Sequence, residues 1–464
     1  MRRKPLHPLF PPILFFCSLI CLRAPDARPL AGVRAQADNV ADTREDRLRV
    51  FDQVWRAIYD NYYDKRYRGV DWRLQREIFR PRAEAARNSA ELYQVLRQMI
   101  GQLGDAHTRV YAPEEGFDRD RPAGATVGVA VRRVEGKPVV TWVDPESEAA
   151  RKGIQPGFTV LQVDGAPVEK ALERVRGEII ESSTPAALET QTYDRLFHGP
   201  RDTPVSVLFI DGEGRPRSVT LVRRFVEFQR RVISRKPLHN IGYIEITGFG
   251  PEIEKDFEAA MREAQGTRGL IIDLRNNGGG FVATVAQIAS YFLPEDYPLG
   301  EFISRQGRAA SRYTQRSEIN YHGELIVLVS ARSASGSEIF AAAMQERKRA
   351  TIIGASPTTC GCLLGVSRTL KLLDGGKLNV SDSDYRTADG RRIEGAGIKP
   401  DLQLETRIAD LLTGRDRMFE LAVERLGRMI AFGRRGAGIE FRLNLPNGRL
   451  QSSIHGSDAS QSRP

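Results

Sequence analysis

Apolar residues recur at three- and four-residue steps early in the chain, at Leu48, Phe51, Val54, Trp55, Ile58 and Tyr59. That spacing turns one face of a helix toward a core, and Leu92, Leu96, Met99 and Ile100 mark a second such helix. Near residue 122 the period shortens. Val127-Gly-Val-Ala-Val131 and Pro138–Val143 read as strands, Ser147–Gly153 as a short helix stopped by glycine, and Gly157–Gly165 as a strand closed by an Asp-Gly turn. From residue 232 onward, unbroken apolar runs alternate with helical spacing. Ile241–Ile246 precedes a helix over Glu252–Ala264, Leu270–Leu274 a helix over Ala283–Phe292, and Leu325–Val329 a helix beginning near Ile339. Strands that are apolar on both faces, each followed by a helix, predict an α/β layer with a mainly parallel sheet. Leu411, Leu412, Phe419, Leu421, Ala422 and Leu426 place one amphipathic helix in 406–432. Residues 433–464, rich in Gly, Arg, Ser and Asn, read as a mostly disordered tail.

The amino-terminal end follows different rules. Arg2, Arg3 and Lys4 precede an apolar core, Leu9–Leu22, and Ala35-Gln-Ala37 supplies a small-residue cleavage site, so 1–37 reads as a secretory signal. Pro11 and Pro12 break that core, which falls short of the ~20 residues of a membrane span. Cut or retained as an anchor, it puts the body of the protein outside the cytoplasm, in a periplasmic or secreted location. The 464 residues have room for two or three domains, and 41% hydrophobic with 28% charged residues is ordinary for a globular chain. The net charge of +10 is spread without a basic run or an aromatic-interleaved stripe. It therefore predicts a solvated basic surface with weak attraction to anionic membranes, and no nucleic-acid partner. With Cys17 and Cys21 in the leader, Cys360 and Cys362 are left for the mature chain, spaced too tightly for an ordinary structural disulfide and too few for a closed zinc site. No metal or nucleotide cofactor is expected.

The candidate chemistry lies in Val329-Ser-Ala-Arg-Ser-Ala-Ser-Gly-Ser-Glu338, between the run Leu325–Val329 and the helix after it. Small residues let the backbone turn sharply and hold a hydroxyl at the amino end of a helix. Unpaired N–H groups and the helix dipole there favour the negative charge of an alkoxide or an acyl oxyanion. Taken alone, Ser333, Ser335 and Ser337 could equally be helix caps.

Ser-Ala-Ser-Gly-Ser-Glu resembles the nucleophile turn of the carboxyl-terminal processing proteases. Leu270-Ile-Ile-Asp-Leu-Arg-Asn-Asn-Gly-Gly-Gly280 is similar to that family's Asp-Leu-Arg-x-Asn-x-Gly-Gly segment. Arg349–Gly354 and Ile393-Glu-Gly-Ala-Gly-Ile-Lys-Pro-Asp401 fit its closing segments, in the same order, over roughly residues 90–430. The resemblance implies a serine endopeptidase with a core of the ClpP/crotonase type, acting on polypeptide C-termini or unfolded proteins. It divides the chain into a helical region at 38–121, a PDZ-like domain at 122–230, an α/β core at 231–405, and the helix at 406–432. A PDZ domain adds an extended peptide to its sheet edge and holds a terminal carboxylate on backbone N–H groups. The loop implied for that contact contains Val127, Gly128 and Val129.

The resemblance makes Ser335 the nucleophile. The usual bacterial base is a lysine, and the family's spacing lands on Cys360 within Thr358-Thr-Cys-Gly-Cys362, so that lysine is absent. His107, in Gly104-Asp-Ala-His-Thr108, is similar in position to the histidine of the tricorn core protease branch, with Glu394 matching the glutamate that orients it. An imidazole titrating near ~6.5 suits a base at ordinary pH. Gly279 or Gly280, with Gly336, are the expected oxyanion donors. Glu338 is read as structural, accepting from first-turn amides or from Arg275, and Arg275 and Asn276 as residues that tie the loop down. Cys360 reads either as a small buried apolar residue or as half of a redox pair with Cys362. Without the lysine, a second class stays open: an inactive protein that binds peptides or apolar ligands on the same fold.

Overall fold

A computed structural model describes residues 43–115, 118, 123–180, 182–238, 240–432, 443–445 and 448–450. The secretory signal, Cys17 and Cys21 lie outside the described residues, as does most of the expected tail. Within that tail, Leu443–Leu445 and Gly448–Leu450 pair as an antiparallel hairpin.

Three helices, Arg44–Asn61, Trp72–Ala85 and Ser89–Gly101, open the described chain. The side chains of Thr43, Asp71 and Asn88 accept first-turn N–H groups, so each helix has a defined start. Phe51, Val54, Ile58, Trp72, Leu92, Leu96 and Met99 form their buried core, which also takes in Leu372, Leu378 and Val380 from far along the chain. The strand Arg109–Tyr111 continues that attachment by pairing with Lys377–Asn379. The segment that carries His107 is thereby fixed to the carboxyl-terminal half.

The strands Val129–Val134, Lys137–Val143, Thr159–Val163, Pro204–Ile210 and Pro216–Val222 pair in that order as an antiparallel sheet. Asp164 and Gly165 both take positive φ in the expected hairpin turn. The first strand of this unit differs from the sequence reading. Ala123–Thr126 pairs with Arg224–Glu227, and Val127 and Gly128 form the joint before Val129, because Gly128 has φ +74°. Helices Val168–Glu178 and Pro185–Asp194 complete the unit.

In the third region six strands run in the order 232–238, 241–246, 269–273, 324–329, 351–354 and 402–403, all parallel except the first. Their apolar runs are buried on both faces. Ile244, Ile272 and Val327 meet the helices Glu254–Ala264, Val282–Ala289 and Gly336–Glu346, while Ile271, Ile326 and Leu328 meet Met418, Ala422, Val423 and Leu426. That second cover is not the single helix predicted over 406–432. Gly414, at φ +67°, separates Ile408–Leu412 from Arg417–Phe432. A further antiparallel sheet, including Pro298–Ser304 and Ser383–Arg386, had no alternating pattern clear enough to announce it.

Candidate active site

The strand Glu324–Val329 ends at a turn that delivers Ser335 to the N-cap of the helix Gly336–Glu346. Ser335 has φ +52° and ψ −112°, a conformation that a residue with a Cβ adopts at a cost of order 1–3 kcal/mol. Its two neighbouring serines have other duties. Ser333 and Ser337 are fully buried, and their hydroxyls donate to Leu274 O (2.7 Å) and Asn277 O (2.8 Å). They clamp the turn to the loop after Gly269–Asp273, whereas Ser335 is half-buried. Of the three serines only Ser335 holds the N-cap position, and neither Ser333 nor Ser337 caps the helix.

That loop crosses directly over the turn. A Cβ on Gly279 would stand 2.7 Å from both Ala334 O and Ser335 Cβ, and one on Gly280 would stand 1.9 Å from Phe249 O. With φ of +100° and +143°, these positions accept glycine and nothing larger. The Gly279 N–H donates to Asn277 Oδ1 at 2.8 Å, so of the glycines expected as donors this one is engaged. Gly280 N lies beside Gly336, 3.4 Å from where a Cβ on Gly336 would be. The Gly280 amide thus stands beside the first residue of an eleven-residue helix, at its positive end. Arg275 pairs with Asp273 (2.6 Å) and Asp416 (2.7 Å), tying the loop to the carboxyl-terminal helix region.

Glu338 is the hub beneath the turn. It is fully buried, and its carboxylate accepts from Ser335 N–H (3.0 Å), Thr359 Oγ1 (2.6 Å), Gly361 N–H (2.8 Å) and Cys362 N–H (3.2 Å). Burial pushes its carboxyl up to about 7, while those four donors pull the other way. The sequence indicated a structural role but named first-turn amides or Arg275 as partners. Its partners across 359–362 come from a loop distant in sequence.

That loop also corrects the expectation for its cysteines. Cys360 and Cys362 are joined in a disulfide, although their spacing had seemed too tight. Gly361, at φ +67°, turns the chain so that the two Cα atoms sit 5.2 Å apart, within disulfide reach. Cys360 is half-buried, so it does not simply fill a cavity left by an absent lysine.

His107 belongs to a tightly bonded loop. Its N–H donates to Asp105 Oδ1 (2.7 Å), and Thr108 Oγ1 donates to Asp105 Oδ2 (2.6 Å) while accepting from Ser381 N–H (3.0 Å). Ala106 N–H donates to Ser183 Oγ (3.0 Å), and the next residue, Thr184, donates through Oγ1 to Cys360 O (2.7 Å). Ser183-Thr184 therefore bridges the His107 loop to the loop that supports Ser335. Glu394 is buried, with Oε1 on Arg68 Nη1 (2.9 Å) and Oε2 on Leu363 N–H (2.8 Å). Its segment grips the same loop, since Gly395 N–H donates to Gly361 O (2.9 Å) and Ile398 N–H to Thr359 Oγ1 (2.7 Å). Arg68 escaped the sequence reading, because an arginine after an aromatic helix end carries no signal of a partner so far along the chain.

The expected peptide-binding residues lie elsewhere. Val127 is buried in the antiparallel unit, and Val129 pairs with Val143. Gly128 donates its N–H to Thr126 Oγ1 (3.0 Å) and accepts from Asp144 N–H (2.8 Å). At the far end of the neighbouring helix, Asp194 meets Arg132 of the edge strand and Arg332 of the turn before Ser335, each at 2.6 Å.

Residues 240–404 match the model of peptidase family S41, and residues 43–101 that of the tricorn protease C1 domain. A carboxyl-terminal-processing protease of Synechocystis sp. is 28% identical over 86% of this chain and 91% of its own length. The chloroplastic carboxyl-terminal-processing peptidase 3 of Arabidopsis thaliana is 27% identical over 79% of this chain and 70% of its own. Among solved structures, the photosystem II D1 C-terminal processing protease superposes with a TM-score of 0.53 at 25% identity, covering 77% of this chain and 93% of that one. Mature CPAF, at 17% identity, shares the fold with a TM-score of 0.60 over 83% of this chain and 96% of that one.

Proposed function

We propose that this chain, a serine-type peptidase whose residues 240–404 form a peptidase family S41 domain, cuts exported or unfolded polypeptides near their carboxyl ends with Ser335 as nucleophile and His107 as general base. The observation that carries this reading is the conformation of Ser335: a half-exposed serine at positive φ, on a helix N-terminus, between two serines consumed by structural bonds. Strain of that kind persists where surrounding bonds over-determine it.

In the proposed reaction His107 takes the Ser335 hydroxyl proton as Oγ attacks the scissile carbonyl, and the oxygen that becomes negative meets the N–H groups of Gly280 and Gly336. The imidazolium then returns the proton to the leaving amine, and water repeats the sequence on the acyl-enzyme. The bridge through Ser183-Thr184 supports His107 as the base, since it connects the two loops that must cooperate. Glu394 holds the 361–363 segment and Arg68, and so orients the site from behind.

The unit spanning 123–227 serves as a PDZ domain that takes the substrate tail along its edge strand, Val129–Val134, beside the helix Pro185–Asp194. The basic amino end with its apolar core, and the Cys360–Cys362 disulfide, support work outside the cytoplasm.

The test is covalent labelling with a serine-directed phosphonate, locating the adduct by mass spectrometry and cleaving an unstructured polypeptide in parallel. The reading predicts an adduct on Ser335, and loss of cleavage in Ser335→Ala and His107→Ala. Turnover by Ser335→Ala equal to the parent's would overturn it, and a parent that binds the polypeptide but neither labels nor cleaves would leave a binding protein on a peptidase fold.

A further inference from the structure

The disulfide between Cys360 and Cys362 closes a small ring directly against the nucleophile turn. Cys360 N–H donates to Ser333 O (3.1 Å) and Ser335 N–H to Cys362 O (3.1 Å). Gly361 and Cys362 give their N–H groups to Glu338, which also accepts from Ser335. On the outer side, Cys360 O accepts from Thr184, the residue beside the anchor of the His107 loop. The Ser335 N–H thus donates to Cys362 itself and to the carboxylate that Gly361 and Cys362 help to fix. Access is asymmetric. Cys362 is 4% exposed, whereas Cys360 is half-buried, so the Cys360 side of the ring is the more open one.

We infer that this disulfide is a redox modification site: a dithiol reductant opens the ring, releases the 359–362 loop from the turn at Ser335 and switches the peptidase down, and reoxidation restores it. In the first step a reductant thiolate attacks Cys360 Sγ, the S–S bond breaks, and Cys362 leaves as a thiolate that takes a proton from water. In the second, the reductant's other thiolate attacks its own sulfur in the mixed disulfide and expels Cys360, which is protonated in turn. Two electrons pass to the protein, and the reductant departs as a disulfide. A chain built this way stays quiet in a reducing cytosol and becomes competent on reaching an oxidising compartment. The inference rests on the peptidase reading, and its test separates the two.

Full-chain protein is titrated with dithiothreitol, its free thiols are trapped by alkylation, and peptide mapping distinguishes Cys360 and Cys362 from Cys17 and Cys21. The rate of phosphonate labelling at Ser335 should fall at least ~10-fold in step with reduction of the pair, and return after oxidised glutathione is added. Cys360→Ser and Cys362→Ser should each label at the reduced parent's rate whether or not reductant is present. Labelling at the oxidised parent's rate, either in those variants or in the fully reduced parent, overturns the inference. Amide exchange at residues 333–338 is read on the same samples and should quicken on reduction. If Ser335 labels in neither state, the peptidase reading fails. Unchanged exchange then sinks the redox inference as well, while faster exchange upholds the release of the loop.

Discussion

In the sheet that carries the turn at Ser335, Gly269–Asp273 and Leu325–Val329 are buried at every position, whereas the antiparallel unit turns Trp142 and Leu161 out to solvent, 54% and 40% exposed. The two sheets therefore handle polar groups differently. Around the parallel sheet a polar group has no water to fall back on, so the buried Ser333 and Ser337 hydroxyls donate to loop carbonyls and Glu338 accepts from four donors, which together hold the turn they frame. In the antiparallel unit, side chains and turns face solvent on one side, and a misfit there costs little. Precision at Ser335 comes from burial, and adaptability at the edge strand comes from exposure.

The largest break in that contrast should come from Gly280→Ala. The new methyl would lie on Phe249 O, a backbone atom that cannot swing aside. We expect a loss of about 3 kcal/mol or more in stability by denaturant titration, and at least ~100-fold in kcat/KM as the amide beside Ser335 is displaced.

Glu338→Gln should follow. The amide presents an NH₂ to groups that are all donors, leaving one or two of them unsatisfied at about 1–3 kcal/mol each. A shifted turn should cost on the order of 100-fold in kcat. The same variant tests the sign of the pH dependence. Because burial raises the Glu338 carboxyl to about 7, the folded protein binds more protons than the unfolded chain between the ordinary carboxylate range and about 7. Stability contributed by this group is therefore full at low pH and declines as pH rises through that window, by a few kcal/mol in order of magnitude. Calorimetric Tm against pH should show a steeper decline in the parent than in Glu338→Gln, and parallel curves would refute the assignment.

Asp194→Asn tests the seam between the two regions. Loss of the charge that Arg132 and Arg332 share should change kcat/KM about two- to fivefold, corresponding to ~0.5–1 kcal/mol for a partly exposed pair. The change should be larger for substrates with a free carboxyl end than for amidated ones. Gly165→Ala marks the tolerant extreme. Its φ is +77° with nothing within 4 Å of the added methyl, so about 1 kcal/mol of stability should go while kcat/KM holds. Activity falling as far as in Gly280→Ala would erase the distinction.

Much of this was legible in the chain because its signals are local. Unbroken apolar runs announced the parallel strands, Asp164-Gly165 announced a hairpin, and the small residues around Ser335 announced a sharp turn before a helix. What stayed hidden involves partners far apart in sequence. Nothing in Thr358–Cys362 says that it will close over Glu338. Arg68 gives no hint of Glu394, nor Arg109–Tyr111 of Lys377–Asn379. Some local readings also lost to context. Val127 and Gly128 fit a strand by composition, yet a positive φ at Gly128 makes them a joint, and Gly414 divides a helix whose apolar positions alone looked continuous.

The sequence by itself determined the order of elements, the buried character of the parallel strands and the serine at the turn, because periodicity and backbone preference act over a few residues. The tertiary structure alone decided how Ser333 and Ser337 are bonded, which loop supports Ser335, and that Cys360 and Cys362 are joined at its side. Those outcomes depend on buried polar groups finding every partner they need, and only the folded packing of distant segments can supply such partners.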